Sequence, residues 1–141
     1  TEMATIDMQT MRYMNLLDRV AHVKANKCFV YNNTIYFAVS PKLFSHALGP
    51  ENRNVKIISE QLGKRIRIIR DANDSENGVS KFIESVVSPV SFISVEIRDG
   101  AFVLTAGSRE RAATLIGRNK VRLEELSAVM QSYFGKALKI I

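Results

Sequence analysis

The apolar positions of this chain change period several times, and the order of changes occurs twice. Ile6, Met8, Met11, Met14, Leu16, Leu17 and Val20 recur at helical spacing with some drift and predict a long amphipathic helix. Cys28-Phe29-Val30-Tyr31, Asn32-Asn33 and Thr34-Ile35-Tyr36-Phe37-Ala38-Val39 predict strand, two-residue turn and strand. Ser40-Pro41 places a capping hydroxyl before a proline at a first helical position. Val55, Ile58 and Leu62 then fall at helical spacing up to Gly63, a helix stop, and Lys64-Arg65-Ile66-Arg67-Ile68-Ile69 reads as a strand.

The second pass begins with Val79, Phe82, Ile83, Val86 and Val87, a shorter helix stopped by Ser88-Pro89. Phe92 to Arg98, Asp99-Gly100 and Ala101 to Thr105 predict a second hairpin, with a stronger turn because Asp-Gly tolerates positive φ at both positions. Ser108 is positioned to cap the run from Arg109 to Ile116, and Leu123, Leu126, Val129, Met130 and Tyr133 form a further helix ending at Gly135. Lys136-Ala137-Leu138-Lys139-Ile140-Ile141 closes the copy as a strand. Ser40 precedes Gly49 by nine residues and Ser108 precedes Gly117 by nine, which argues for an internal repeat. The stretch Asp71 to Gly78 is polar and turn-forming and reads as an eight-residue linker. The expected fold class is therefore α+β: helix, strand, strand, helix, helix, strand, written twice, each copy with a three-stranded mixed sheet and helices on one face. The expected domains are residues 1–72 and 73–141.

The repeat directs attention to the turn between consecutive helices. The first is Gly49-Pro50-Glu51-Asn52-Arg53-Asn54-Val55-Lys56 and the second Gly117-Arg118-Asn119-Lys120-Val121-Arg122. In each, an apolar residue precedes the glycine and another follows it by six positions. A glycine lets a ligand approach the backbone closely, and the unpaired N–H groups of the following helix suit a phosphate. These residues resemble the GXXG loop of the KH module, which clamps the backbone of about four nucleotides. The element order is similar to type II KH domains. Two such modules in tandem resemble the archaeal transcription termination and antitermination factor NusA over roughly residues 6–141. That resemblance implies the short archaeal form, without the N-terminal polymerase-binding and S1 domains of bacterial NusA. It implies a cytoplasmic protein that binds single-stranded RNA in a nascent transcript, with the RNA polymerase elongation complex as a partner. The RNA-binding residues it implies are Gly49, Pro50, Glu51, Asn52, Arg53 and Lys56, with Gly117, Arg118, Asn119, Lys120 and Arg122. The loops depart from the family pattern at the fourth position, where Asn52 and Lys120 replace glycine. Pro50 removes an N–H donor, and Glu51 sets a negative charge where phosphate would approach.

Charge supports the same reading. The chain carries a net charge of +6, and seven basic residues face two acidic ones between Lys42 and Arg70. Such a cluster suits phosphate neutralisation, or a solvated face. The sequence suggests neither a membrane span nor a signal peptide. The single cysteine, Cys28, lies in an apolar run and is expected in the core rather than as a nucleophile. No paired carboxylates, metal-ligand cluster or Walker A ending stands out, so neither catalysis nor a cofactor is expected. Two other functions fit part of the pattern. One is a helix-turn-helix that binds duplex DNA through Ala113 to Val121, which competition between single-stranded RNA and duplex DNA separates. The other is a KH-fold protein-interaction module with weak or no RNA binding, whose association should lack a steep salt dependence.

Overall fold

A computed structural model describes residues 8–73 and 75–141. Ile6 and Asp74, placed above in a helix and a linker, lie outside the described residues. Two compact units divide the chain, one ending at Asp71 and the other beginning at Ala72. Among the described residues they hold two mixed three-stranded sheets and six α-helices, an α+β architecture compatible with KH-like domains.

The first unit runs α1 (Met8–Ala21), β1 (Lys27–Tyr31), β2 (Thr34–Val39), α2 (Phe44–Leu48), α3 (Arg53–Leu62) and β3 (Arg65–Arg70). The Asn32-Asn33 turn forms with φ of 53° and 57°, the positive pair a tight hairpin turn requires, so β1 and β2 are antiparallel neighbours. β3 returns parallel to β2, pairing Ile35 with Ile66 and Phe37 with Ile68. A parallel return needs a long crossover, and this one consists of α2, a loop and α3. Cys28, Ile35, Phe37, Ile66 and Ile68 cover one sheet face and share a core with Tyr13, Leu16 and Leu17 of α1, Ala47 of α2 and Ile58 of α3. Cys28 is buried in this core, as its apolar neighbours suggested. Lys27 Nζ and Asp71 Oδ1 meet at 2.6 Å, tying the start of β1 to the residue after β3.

The second unit repeats the order as α4 (Glu76–Val87), β4 (Ser94–Arg98), β5 (Ala101–Thr105), α5 (Arg109–Ile116), α6 (Val121–Phe134) and β6 (Leu138–Ile140). β4 and β5 form an antiparallel hairpin, and β6 is parallel to β5. Phe134 of α6 meets Phe82 of α4 edge-on at 5.3 Å and Phe102 of β5 at 6.1 Å between ring centroids. Phe82, Ile83, Phe102, Leu104, Leu126 and Met130 are buried in this unit.

Four expectations are corrected. Ser40 makes no side-chain cap. Its carbonyl instead accepts from the Leu43 N–H at 2.8 Å, and Pro41–Leu43 form a 3₁₀ turn that precedes α2. The linker is shorter than Asp71 to Gly78, because Ser75 Oγ accepts from the Gly78 N–H at 3.0 Å and starts α4 at Glu76. Gly78 is buried against Asn73 where a Cβ has no room, so a residue type that suggested a loop serves helix packing. The first strand of the second hairpin begins at Ser94 rather than Phe92, although the Ile93 N–H still donates to Thr105 O at 2.8 Å. The last strand is likewise shorter, starting at Leu138.

Candidate nucleic-acid interface

Both crossovers turn through the same backbone geometry. Gly49 has φ 76° and ψ 170°, and Gly117 has φ 79° and ψ 170°. Pro50 and Arg118 follow. The next two residues are left-handed in each loop: Glu51 (53°, 36°) and Asn52 (59°, 31°), then Asn119 (56°, 27°) and Lys120 (62°, 21°). The N–H of Asn52 returns to Gly49 O at 3.2 Å, and that of Lys120 to Gly117 O at 3.2 Å. Beyond the shared glycine, unlike residues thus hold one conformation, with α3 and α6 starting immediately after it.

Each glycine is also fixed by what lies behind it. A Cβ on Gly49 would stand 2.9 Å from Asn54 Nδ2, and one on Gly117 2.7 Å from Arg122 Cγ and 3.1 Å from the Arg122 backbone nitrogen. Asn54 Nδ2 donates to Ala47 O at 3.1 Å, so the first turn of α3 holds the open carbonyl end of α2. Asn54 was not among the expected site residues. The signal for it was its place five residues after the loop glycine, the position that Arg122 holds after Gly117.

The expected residues come together in part. Pro50, Glu51, Asn52, Arg53 and Lys56 are exposed around the first loop, as are Arg118, Asn119 and Lys120 around the second. Arg122 is half-buried, and its Nη1 lies 2.7 Å from Glu125 Oε1. The basic cluster of the first unit is divided as well. Arg67 is half-buried and donates to Tyr36 Oη at 3.2 Å, and the Arg70 guanidinium lies over the Phe44 ring at 3.9 Å. Lys42, Arg53, Lys56, Lys64, Arg65 and Arg70 itself are exposed.

The fold and loops are those of a two-unit α+β protein with a matched glycine turn in each crossover. The chain is similar to the "Probable transcription termination protein NusA" of Halococcus morrhuae, with 25% identity over 132 residues and 92% of each chain covered. The crystal structure of APE1850 matches in fold with a TM-score of 0.67 at 24% identity, covering 96% of this chain and all of that one. No family model matches the chain.

Proposed function

We propose that this chain is a tandem pair of type II KH domains that binds single-stranded RNA, without catalysing a reaction. It acts in transcription termination or antitermination on the nascent transcript at the RNA polymerase elongation complex, in the cytoplasm. The observation that carries the reading is the loop geometry itself: a glycine turn with two left-handed residues, held in both crossovers by different side chains. Left-handed non-glycine residues cost of order 1–3 kcal/mol each, so a conformation kept twice against that cost points to selection for what it exposes. The likeness to a transcription termination protein over 92% of the chain supports the same process.

The sugar-phosphate backbone lies against the loops and the starts of α3 and α6, with Arg53, Lys56, Arg118 and Lys120 neutralising it. The residues assigned to this interface are Gly49, Pro50, Glu51, Asn52, Arg53, Lys56, Gly117, Arg118, Asn119, Lys120 and Arg122, in domains 1–72 and 73–141. The second loop keeps the Arg118 amide that Pro50 lacks in the first. Replacing Arg118 and Lys120 together with Asp should weaken binding to single-stranded RNA without lowering the thermal midpoint. The slope of log K against log salt should also become shallower by about 0.7 for each phosphate no longer neutralised. Unchanged affinity and slope would remove the second loop from the interface, and preference for duplex DNA over single-stranded RNA would overturn the whole reading.

A further inference from the structure

Gly49 and Gly117 each have a side chain packed behind them, and the two side chains differ in what that packing leaves over. Asn54 uses its amide on the end of α2, where Nδ2 donates to Ala47 O at 3.1 Å and lies 3.4 Å from His46 O. Arg122 fills the corresponding place with its stem, since a Cβ on Gly117 would meet Arg122 Cγ at 2.7 Å and Cβ at 3.0 Å. Methylenes alone satisfy that contact, so the guanidinium is surplus to it. Arg122 is the second residue of α6, beside the loop, and a guanidinium carries the planar fork of donors that matches a phosphate. It is held instead by Glu125, Nη1 to Oε1 at 2.7 Å, one helical turn further on, with the two side chains 27% and 29% exposed.

We propose that Glu125 attenuates the second loop, withholding Arg122 from the RNA phosphate and so lowering the affinity of that loop. This assignment rests on the RNA-binding reading above and adds to it a residue that acts against binding. The two units differ in the way it requires. Neither α3 nor α6 has a side-chain cap, so both present open N–H groups at their starts. The first turn of α3 has no acidic residue, and its Arg53 and Lys56 are exposed. The first turn of α6 carries Glu124, followed by Glu125, and carboxylates there offset the positive helix end that would draw an anion. Glu125 lies three residues after Arg122 on the same helix, so it competes with phosphate at every RNA concentration. A half-exposed ion pair is weak, and the attenuation is therefore several-fold rather than complete. Arg122 thus belongs to the interface as a cation in reserve, and the first unit supplies the larger share of the affinity.

The probe is a mixed-sequence single-stranded RNA oligonucleotide, titrated over a range of salt. Glu125→Gln keeps the shape of the side chain and removes its charge. It should raise affinity about fivefold at about 0.1 M salt and steepen the slope of log K against log salt by about 0.7, the change that one further phosphate contact gives. Glu124→Gln removes an equal charge one residue away and should leave the slope at the parent's value. Arg122→Met keeps a Cγ behind Gly117 without the guanidinium. Alone it should leave the slope unchanged, and combined with Glu125→Gln it should abolish the gain. Affinity that falls or stays constant in Glu125→Gln overturns the role of Glu125. A shallower slope in Arg122→Met alone does the same, because Arg122 would then already neutralise a phosphate in the parent. Equal gains from Glu124→Gln and Glu125→Gln would reduce the effect to general repulsion and overturn it too. Each of these results is read with RNA bound to the parent and leaves the RNA reading standing, whereas no RNA retained by the parent or any variant overturns both.

Discussion

Glu51, Asn52, Asn119 and Lys120 hold backbone angles that glycine adopts more readily. A side chain there brings Cβ close to the neighbouring carbonyl, at about 1–2 kcal/mol. Lys120→Gly should therefore stabilise the protein by roughly 0.5–1 kcal/mol, after the added freedom of glycine in the unfolded chain is subtracted. The check is a higher urea midpoint at unchanged slope. A simultaneous loss of RNA affinity would show that the ammonium is kept for binding at a cost in stability. Gly117→Ala should act oppositely, lowering stability by about 2 kcal/mol or more, because strain at φ 79° adds to a Cβ crowding the Arg122 backbone. At this scale the sequence disclosed the two glycines through their repetition. It did not disclose that Arg122 is engaged by Glu125 or that Asn54 reaches Ala47, since each depends on where a side chain points.

Helix starts separate the two copies more than their spacing suggests. Ser108 and Ser40 both precede their glycine by nine residues. Only Ser108 caps with its side chain, accepting from the Arg111 N–H at 3.1 Å. Ser108→Ala should cost about 1 kcal/mol, whereas Ser40→Ala should stay within about 0.5 kcal/mol of the parent, both read from thermal or urea midpoints. Equal losses would contradict this distinction. The difference arises because Pro41–Leu43 close as a tighter turn, in which the Leu43 N–H goes to the Ser40 carbonyl rather than to its hydroxyl. Helix length differs too: α3 has 10 residues and α6 has 14, one more turn before the capping glycine. The hairpins were legible almost to the residue, because a two-residue turn with positive φ fixes the register of the strands on either side.

Across the whole chain, charge is unequal. The unit ending at Asp71 holds 11 Lys and Arg against 6 Asp and Glu, a net +5, and the remainder holds 9 against 8, a net +1. RNA affinity should thus fall steeply with salt, and neutralising Arg53 and Lys56 together should flatten the slope more than neutralising two cations remote from either loop. Some of the positive charge is structural. Asp71 binds Lys27 and also accepts from Asn26 Nδ2 at 3.0 Å, with the Lys27 and Asp71 side chains 12% and 15% exposed. Asp71→Ala should lower stability by about 2 kcal/mol, because it strands a partly buried ammonium, and leave the salt slope of RNA binding unchanged. A denaturation midpoint equal to the parent's would refute that role. No helix among the described residues is long and apolar enough to cross a membrane.

By itself the sequence determined the order of elements, the repeat, both hairpin turns, the helix-ending glycines and the loops that carry the candidate interface. Each of these is set by a residue and its near neighbours, through side-chain period and the backbone angles particular residues tolerate. Tertiary structure decided what distance along the chain conceals. It paired Ile35 with Ile66 in parallel, turned Arg67 onto Tyr36 and Arg70 onto Phe44, and brought residue 22 beside residue 46. Those placements follow from burying one face of each sheet beneath its helices, which fixes the position of every side chain at the rim as well as in the core.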